Sequence, residues 1–339
     1  MFRNNVKIDI MRISVKYPSF IQLYPTLRCN QNCGFCFNRS IASDAYGDMN
    51  AADADALGSV LMKNGISEID VLGGEPMLLP WIRDFTGRMT DSGIKVNMST
   101  NGSMPDILDR FTDLEGGLFN LGFSIHGFSR THDALTKSDN FSRAVGGLRK
   151  MIDAGKDPVV KSVLLRENKN EIFELAPYLA ELGAKRYFLL YEDTIGRVLS
   201  RSCLSFPEFY DIYSQVKTDS KSLLDVNFVA ASGFYKYGSL AGRCDAGTEK
   251  IAILPDGSAF PCNLFAGFKE FRLGSIFADG IEKILRNPLL ESFRNRGGGN
   301  ACMVTDCRNY SACTGGCPAH SYFFCHNLDT GDPRCRPCP

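Results

Sequence analysis

Residues 23–37 read Leu23-Tyr24-Pro25-Thr26-Leu27-Arg28-Cys29-Asn30-Gln31-Asn32-Cys33-Gly34-Phe35-Cys36-Phe37. Three cysteines in a C-x3-C-x2-C loop follow directly on a strand-like apolar run at 21–27. Clustered thiolates hold metal, and three are one short of closing a four-iron cluster or a structural zinc site. An iron left open can bind a small molecule. A zinc knuckle borrowing a distant fourth ligand is the competing reading of the spacing alone.

The rest of the chain sets the context of that loop. It has 339 residues, 44% hydrophobic and 22% charged, with 38 basic against 38 acidic side chains. A formal charge of zero excludes a generally basic nucleic-acid surface. No run approaches 18 uninterrupted apolar residues, so no membrane span is expected. The first residues carry neither a long apolar stretch nor a small-residue cleavage site. The 13 cysteines therefore read as metal ligands in a reducing cytoplasm rather than as a secreted disulfide framework.

Up to about residue 192, short apolar runs at 21–27, 68–73, 95–100, 118–125, 159–165 and 186–191 alternate with helical patterns. The helices fall near 51–64, 79–92, 105–112, 140–154 and 171–182, and several end in Gly65, Gly93, Gly155 or Gly183, which fits helix C-caps. Strand–helix units in series imply an α/β fold with a parallel sheet and right-handed crossovers. Either part of a barrel or an open doubly wound sheet would satisfy the pattern. Beyond Arg197 the rhythm changes. A helical stretch at 206–216 leads to an apolar piece at 226–231, and Asp256-Gly257 between two apolar runs signals a β-hairpin. The last forty or so residues have little hydrophobic periodicity and are expected to fold around metal. The expected organisation is a lead-in at 1–20, a barrel at 21–218, a linker at 219–243 and a cysteine-rich domain at 244–339.

Polar groups gather where parallel α/β folds place ligands, at the carboxyl ends of successive strands. The second strand ends in Gly73-Gly74-Glu75-Pro76, two small residues and a carboxylate able to accept from an amine. The third ends in Ser99-Thr100-Asn101-Gly102, suited to a ribose or carboxylate, and the fourth in Ser124-Ile125-His126-Gly127. Each is weak singly; in order, on one edge, they are strong.

The C-x3-C-x2-C loop with Phe35 before its third cysteine, together with Gly73-Gly74-Glu75-Pro76, resembles the radical S-adenosylmethionine (SAM) superfamily over roughly residues 20–200. The resemblance implies a partial (β/α)6 barrel. Cys29, Cys33 and Cys36 would hold a 4Fe-4S cluster whose open iron binds SAM. Phe35, Gly73, Gly74, Glu75, Pro76, Ser99, Asn101 and Ser124 would line the SAM site. One electron would cleave SAM to methionine and a 5′-deoxyadenosyl radical that abstracts a substrate hydrogen. His126 stands where relatives often carry Asp, and is either a substrate contact or a half-buried histidine at a strand end. Lys137 stands where they often carry Arg, a point charge in place of a bidentate fork. Arg197 fits the family pattern as a SAM contact, with a surface role the alternative.

Downstream, Cys244, Gly257, Cys262, Cys302, Cys307, Cys313, Cys317 and Cys335 resemble the SPASM extension of radical SAM enzymes, with four residues between Cys302 and Cys307 where two are usual. The resemblance implies two auxiliary iron–sulfur clusters of the 4Fe-4S type, one on Cys244, Cys262 and Cys317 and one on Cys302, Cys307, Cys313 and Cys335. The fourth ligand of the first is open: Cys203, Cys325, Cys338 or none. A zinc-ribbon tail is the alternative.

The resemblance implies a maturase that forms a thioether or carbon–carbon crosslink in a ribosomally made peptide. A flavodoxin- or ferredoxin-type donor would supply the electron. No recognition domain is expected before the first strand, so a separate peptide-recognition protein is a possible partner. Formylglycine generation in sulfatases is disfavoured because Asn263, where those relatives carry a carboxylate base, takes no proton at neutral pH. Haem-precursor or other small-molecule chemistry, and a non-catalytic iron–sulfur or zinc carrier, complete the alternatives.

Overall fold

The computed structural model describes residues 17–41, 46–114, 117–196, 203–231, 244–294, 315–328 and 330–335. Ten strands form one sheet: β1 Phe20–Leu23, β2 Glu68–Val71, β3 Lys95–Thr100, β4 Phe119–Ser124, β5 Val159–Leu164, β6 Arg186–Tyr191, β7 Asp225–Val229, β8 Lys250–Ile253, β9 Ser258–Phe260 and β10 Gly274–Ser275. The helices are α1 Ala51–Lys63, α2 Ile82–Asp91, α3 Pro105–Leu108, α4 Ser129–Thr136, α5 Phe141–Asp153, α6 Ile172–Glu181, α7 Phe206–Ser220, α8 Ile281–Leu285, α9 Glu291–Arg294 and α10 Pro318–Cys325.

The sheet order is β10-β9-β8-β1-β2-β3-β4-β5-β6-β7. Strands β1 to β6 lie in chain order, with no reversal such as a doubly wound sheet requires. That decides the alternative left open above in favour of a partial barrel. All pairs from β8 to β7 are parallel, while β9 and β10 run antiparallel at the far edge.

Alternation along each strand separates two faces. Ile21, Leu23, Ile69, Val71, Val96, Met98, Leu121, Phe123, Val160 and Leu189 are buried in one hydrophobic core with Leu57, Leu61, Phe85, Leu148, Leu175 and Leu179 of the helices. Each such side chain contributes about 1.5–3 kcal/mol on leaving water. The opposite face carries Gln22, Asp70, Asn97, Asn120, Lys161 and Arg186, which the register sets on neighbouring strands. Asn97 Nδ2 donates to Asp70 Oδ1 at 2.9 Å and Asn120 Nδ2 to Asn97 Oδ1 at 3.0 Å. This inner face is polar.

Local signals hold where they were strong. Asn50 caps α1 by accepting from the Asp53 N–H at 2.9 Å, and the four helix-ending glycines all take positive φ. Ser205 and Glu208 form a capping box at the start of α7. Four features differ from expectation. The apolar piece in the segment read as a linker supplies β7, hydrogen-bonded in parallel to β6. The hairpin at Asp256-Gly257 forms, but β8 pairs with β1, so it continues the barrel's sheet. The tail contains a two-turn helix, α10, and α4 precedes α5.

Candidate functional site

The cysteine loop leaves β1 at the carboxyl edge of the sheet and is tied down on three sides. Gly74 N–H donates to Thr26 O at 2.9 Å and Glu75 N–H to Arg28 O at 2.8 Å. Asn32 and Gly34 N–H donate to Thr136 O and Leu135 O at the end of α4, at 3.2 and 3.0 Å. Asn38 Nδ2 donates to Gly73 O at 2.6 Å. Arg28 forks onto Asp48, whose Oδ1 also accepts from Thr26 Oγ1 at 2.6 Å. Cys29 is exposed, and Cys33 and Cys36 are half-buried.

The paired glycines are required by this approach. A Cβ at 74 would lie 1.8 Å from Arg28 O, and one at 73, where φ is 118°, would lie 2.3 Å from Thr26 O. Glu75 is buried. Its Oε1 accepts from Met77 N–H at 3.1 Å and Thr100 Oγ1 at 2.9 Å, and its Oε2 from Asn101 N–H at 2.7 Å. Burial pushes its carboxyl up to about 7 against those three donors. Glu75 thus braces the ends of β2 and β3 together beneath the loop, while Pro76 opens the turn that follows it. Asn101 is held by Asn30, since its Nδ2 donates to Asn30 Oδ1 at 2.8 Å.

Ser99 and Ser124 lie on the inner face, and Ser99 Oγ accepts from Lys161 Nζ at 2.8 Å. Lys161 was not legible as a site residue. Its β5 position pairs in register with Ser124, and its stem covers Gly122, where a Cβ would meet Lys161 Cε at 2.7 Å. Burial lowers its ammonium below the usual lysine range.

His126 is 4% exposed. Its Nδ1 accepts from Val163 N–H at 3.1 Å, its N–H donates to His132 Nδ1 at 3.1 Å, and its ring meets the Phe35 ring edge-on at 4.8 Å. Burial drives the two rings down to about 3 and about 4, so both are neutral. The arrangement places His126 under the loop as a support for Phe35. Lys137 takes the left-handed conformation, φ 53°, that closes α4 beside the loop's anchoring carbonyls. Arg197 lies outside the described residues.

Cys244, Cys262 and Cys317 converge. They pack in one cluster with Tyr24, Phe260 and Phe265, and all three lie close enough to the half-buried Lys250 to act on its ammonium. Burial alone would lower Lys250, but the cysteines and Asp245 outweigh it and raise it. A partly desolvated cation amid three cysteines suits an anionic centre. Asn263, next to Cys262, donates its N–H to Gln22 Oε1 at 3.1 Å and its Nδ2 to Tyr24 OH at 2.8 Å. The auxiliary-site cysteines therefore rest on β1, the strand that launches the first loop. Cys302, Cys307, Cys313 and Cys338 lie outside the described residues, as does the side chain of Cys335. Cys203 is half-buried with its Sγ 3.3 Å from Leu204 O, and Cys325 is exposed at the end of α10.

The donor set fits iron–sulfur groups better than single ions. Among the described residues, only Cys317, His320 and Asp332 bring donor atoms all within 4.8 Å of one another. The loop sulfurs are thus spread wider than the roughly 3.8 Å implied by tetrahedral Zn–S bonds of about 2.3 Å. Asp332 in turn has its lone pairs filled: Oδ1 accepts from Arg334 N–H and Nε, both at 3.0 Å, and Oδ2 from Cys317 N–H at 3.0 Å and Arg334 Nη2 at 2.8 Å. Arg334 reaches on to Glu192 O at 2.6 Å, joining the tail to the end of β6. Sequence reasoning singled out Asp332-Pro333-Arg334-Cys335 only for its cysteine.

Comparison with known proteins agrees with this geometry. Residues 23–179 match the Radical SAM superfamily and residues 244–318 the SPASM iron–sulfur cluster-binding domain. The antilisterial bacteriocin subtilosin biosynthesis protein AlbA of Bacillus subtilis is 25% identical over 86% of this chain, which spans 65% of AlbA's length. The mycofactocin maturase MftC of Mycobacterium ulcerans is 26% identical over 91% of this chain and 85% of its own. Crystal structures of Streptococcus suis SuiB share the fold at 18% identity. The one bound to S-adenosylmethionine superposes with a TM-score of 0.77 over 95% of this chain and 78% of SuiB. The one bound to precursor peptide SuiA also gives 0.77, over 95% and 76%. No helix among the described residues is long and apolar enough to cross a membrane. Two cysteine sets on one sheet, a Gly-Gly-Glu-Pro brace and both family matches converge: the chain carries a radical SAM domain over residues 23–179 and a SPASM domain over residues 244–318, with SAM and iron–sulfur clusters as their cofactors.

Proposed function

We propose that this chain is a peptide maturase that abstracts a hydrogen from a ribosomally made peptide and directs the resulting radical into a crosslink. The observation that carries the reading is the placement of both cysteine sets around one polar inner face. β1 leads into the Cys29 loop, while its neighbour β8 presents Lys250 amid Cys244, Cys262 and Cys317. SuiB is seen bound to the precursor peptide SuiA, and AlbA and MftC are named for subtilosin biosynthesis and mycofactocin maturation, which supports a peptide substrate here.

When bound, the first cluster and SAM supply one-electron cleavage to a 5′-deoxyadenosyl radical. The chain's own residues supply position. Gly73 and Gly74 set the loop's height, Glu75 fixes the β2 and β3 ends, and Phe35 and His126 support the loop from below. Lys161 and Ser99 present a cation and a hydroxyl on the inner face, suited to a carboxylate. Cys29, Cys33 and Cys36 would ligate the first cluster, and Cys244, Cys262 and Cys317 one of the auxiliary clusters. A flavodoxin- or ferredoxin-type donor and a cytoplasmic setting complete the reading.

Anaerobic reconstitution with a strong reductant should yield 5′-deoxyadenosine, and Cys33→Ala should abolish it. With its cognate precursor peptide, the enzyme should leave a product lighter by two hydrogens. An iron-loaded protein that releases no 5′-deoxyadenosine overturns the proposal.

A further inference from the structure

His320 sits one turn into α10 from Cys317 and is wholly buried. Its Nε2 accepts from the Thr194 backbone N–H at 2.9 Å. A neutral imidazole that accepts at one nitrogen carries its proton on the other. Its Nδ1 is buried and has no hydrogen-bond partner among the described residues. Leaving such a donor unsatisfied costs about 1–3 kcal/mol.

The surroundings narrow what that donor serves. A ring nitrogen of His320, Cys317 Sγ and an Asp332 carboxylate oxygen all lie within 4.8 Å of one another. Asp332 is filled by its four donors, two of them on the Arg334 guanidinium that also fixes the tail to β6. Of the two groups the structure places beside the ring, that leaves the sulfur of Cys317, and whatever that sulfur ligates. Cys325, a candidate fourth ligand by sequence, ends the same helix roughly 12 Å of rise away and is exposed.

We propose that His320 donates its Nδ1–H to sulfur of the iron–sulfur centre held by Cys317, either the thiolate or a bridging sulfide. It is a positioning residue for that centre and not its fourth ligand, since a ligating Nδ1 would have to surrender the proton that the Thr194 contact assigns to it. A hydrogen bond to cluster sulfur disperses negative charge and favours the reduced state. The inference rests on the SPASM domain's holding an auxiliary cluster on Cys317.

The test uses the full chain with Cys29, Cys33 and Cys36 changed to Ala, reconstituted anaerobically and labelled with 15N-histidine. Iron and sulfide content come first: iron absent from this variant overturns the cluster reading itself. With iron loaded, pulsed EPR of the reduced centre should show a weakly coupled 15N and an exchangeable proton, both lost in His320→Leu. At fixed potential His320→Leu should lower the reduced-to-oxidised ratio of one centre roughly tenfold, equivalent to about 59 mV for one electron. His320→Asn, whose amide can donate from near the Nδ1 position, should recover part of it. The wild-type spectrum decides the matter if His320→Leu does not fold. A strongly coupled, directly coordinated nitrogen overturns the inference, and so does an unchanged ratio in His320→Leu and His320→Asn.

Discussion

Asn263 Nδ2 donates to the hydroxyl of Tyr24 at 2.8 Å, across 239 residues of sequence. The contact joins the residue after Cys262 to the residue after β1, and so couples the two cysteine sites mechanically. Tyr24 is buried, and burial holds its phenol well above the usual tyrosine range, so it stays neutral at the amide. Tyr24→Phe should leave that amide without its acceptor and cost about 1 kcal/mol, read as a lower thermal midpoint. The same engaged amide lies where formylglycine-forming relatives place a carboxylate. A Cys-x-Pro-x-Arg peptide should therefore pass through the reconstituted enzyme without oxidation at its cysteine, as checked by mass spectrometry.

Gly74 faces Arg28 so closely that a methyl group would sit 1.8 Å from its carbonyl oxygen and 2.4 Å from its carbonyl carbon. Backbone cannot retreat there without moving the cysteine loop. Gly74→Ala should keep the barrel's circular dichroism while reducing iron at the first site and 5′-deoxyadenosine release by at least about tenfold. Normal release from Gly74→Ala would sink the steric account.

Glu75 is raised to about 7 by burial, so the folded chain holds its proton more tightly than the unfolded chain does near 4.5. Its contribution to stability is therefore fully present below about 4.5 and lost as pH rises to about 7. The amount is about 3 kcal/mol, to order of magnitude. Glu75→Gln should flatten the pH dependence of the thermal midpoint in that window. It should also lower stability by about 1–3 kcal/mol, because an amide offers only one oxygen to three donors.

Lys161 presents a desolvated ammonium to Ser99. Lys161→Met, which keeps the stem over Gly122, should leave the thermal midpoint equal or higher while turnover falls about tenfold, the worth of one hydrogen bond to a charged group. Unchanged turnover would remove Lys161 from the site.

Asp332 and Arg334 form a buried pair that ties the tail to β6. Burial alone would raise Asp332, but the Arg334 guanidinium and the Cys317 N–H outweigh it and hold the carboxyl below its usual range. The pair's contribution is thus present above about pH 4 and lost only as pH falls through the depressed value. Asp332→Asn should cost about 1–3 kcal/mol by neutralising the carboxylate that accepts from the Arg334 N–H, Nε and Nη2, while Asp193, 3.2 Å from Arg334 Nη1, remains as a charged partner. Proteolysis of the tail should report it.

The sequence alone determined what is local. A C-x3-C-x2-C loop, a Gly-Gly-Glu-Pro turn and glycine-ended helices are readable because ligand spacing, capping and tight turns act over a few residues. The (β/α) alternation carried the parallel sheet for the same reason, but left open whether it was a partial barrel, which the strand order decided. Only the tertiary structure decided the rest. It set β8 beside β1, added β7, and put Asn263 on Tyr24, Lys161 on Ser99 and His320 on Thr194. It also buried Glu75 and His126 beneath the loop. Those pairs are separated by tens to hundreds of residues, and their partners are chosen by strand order and burial, which no local pattern encodes.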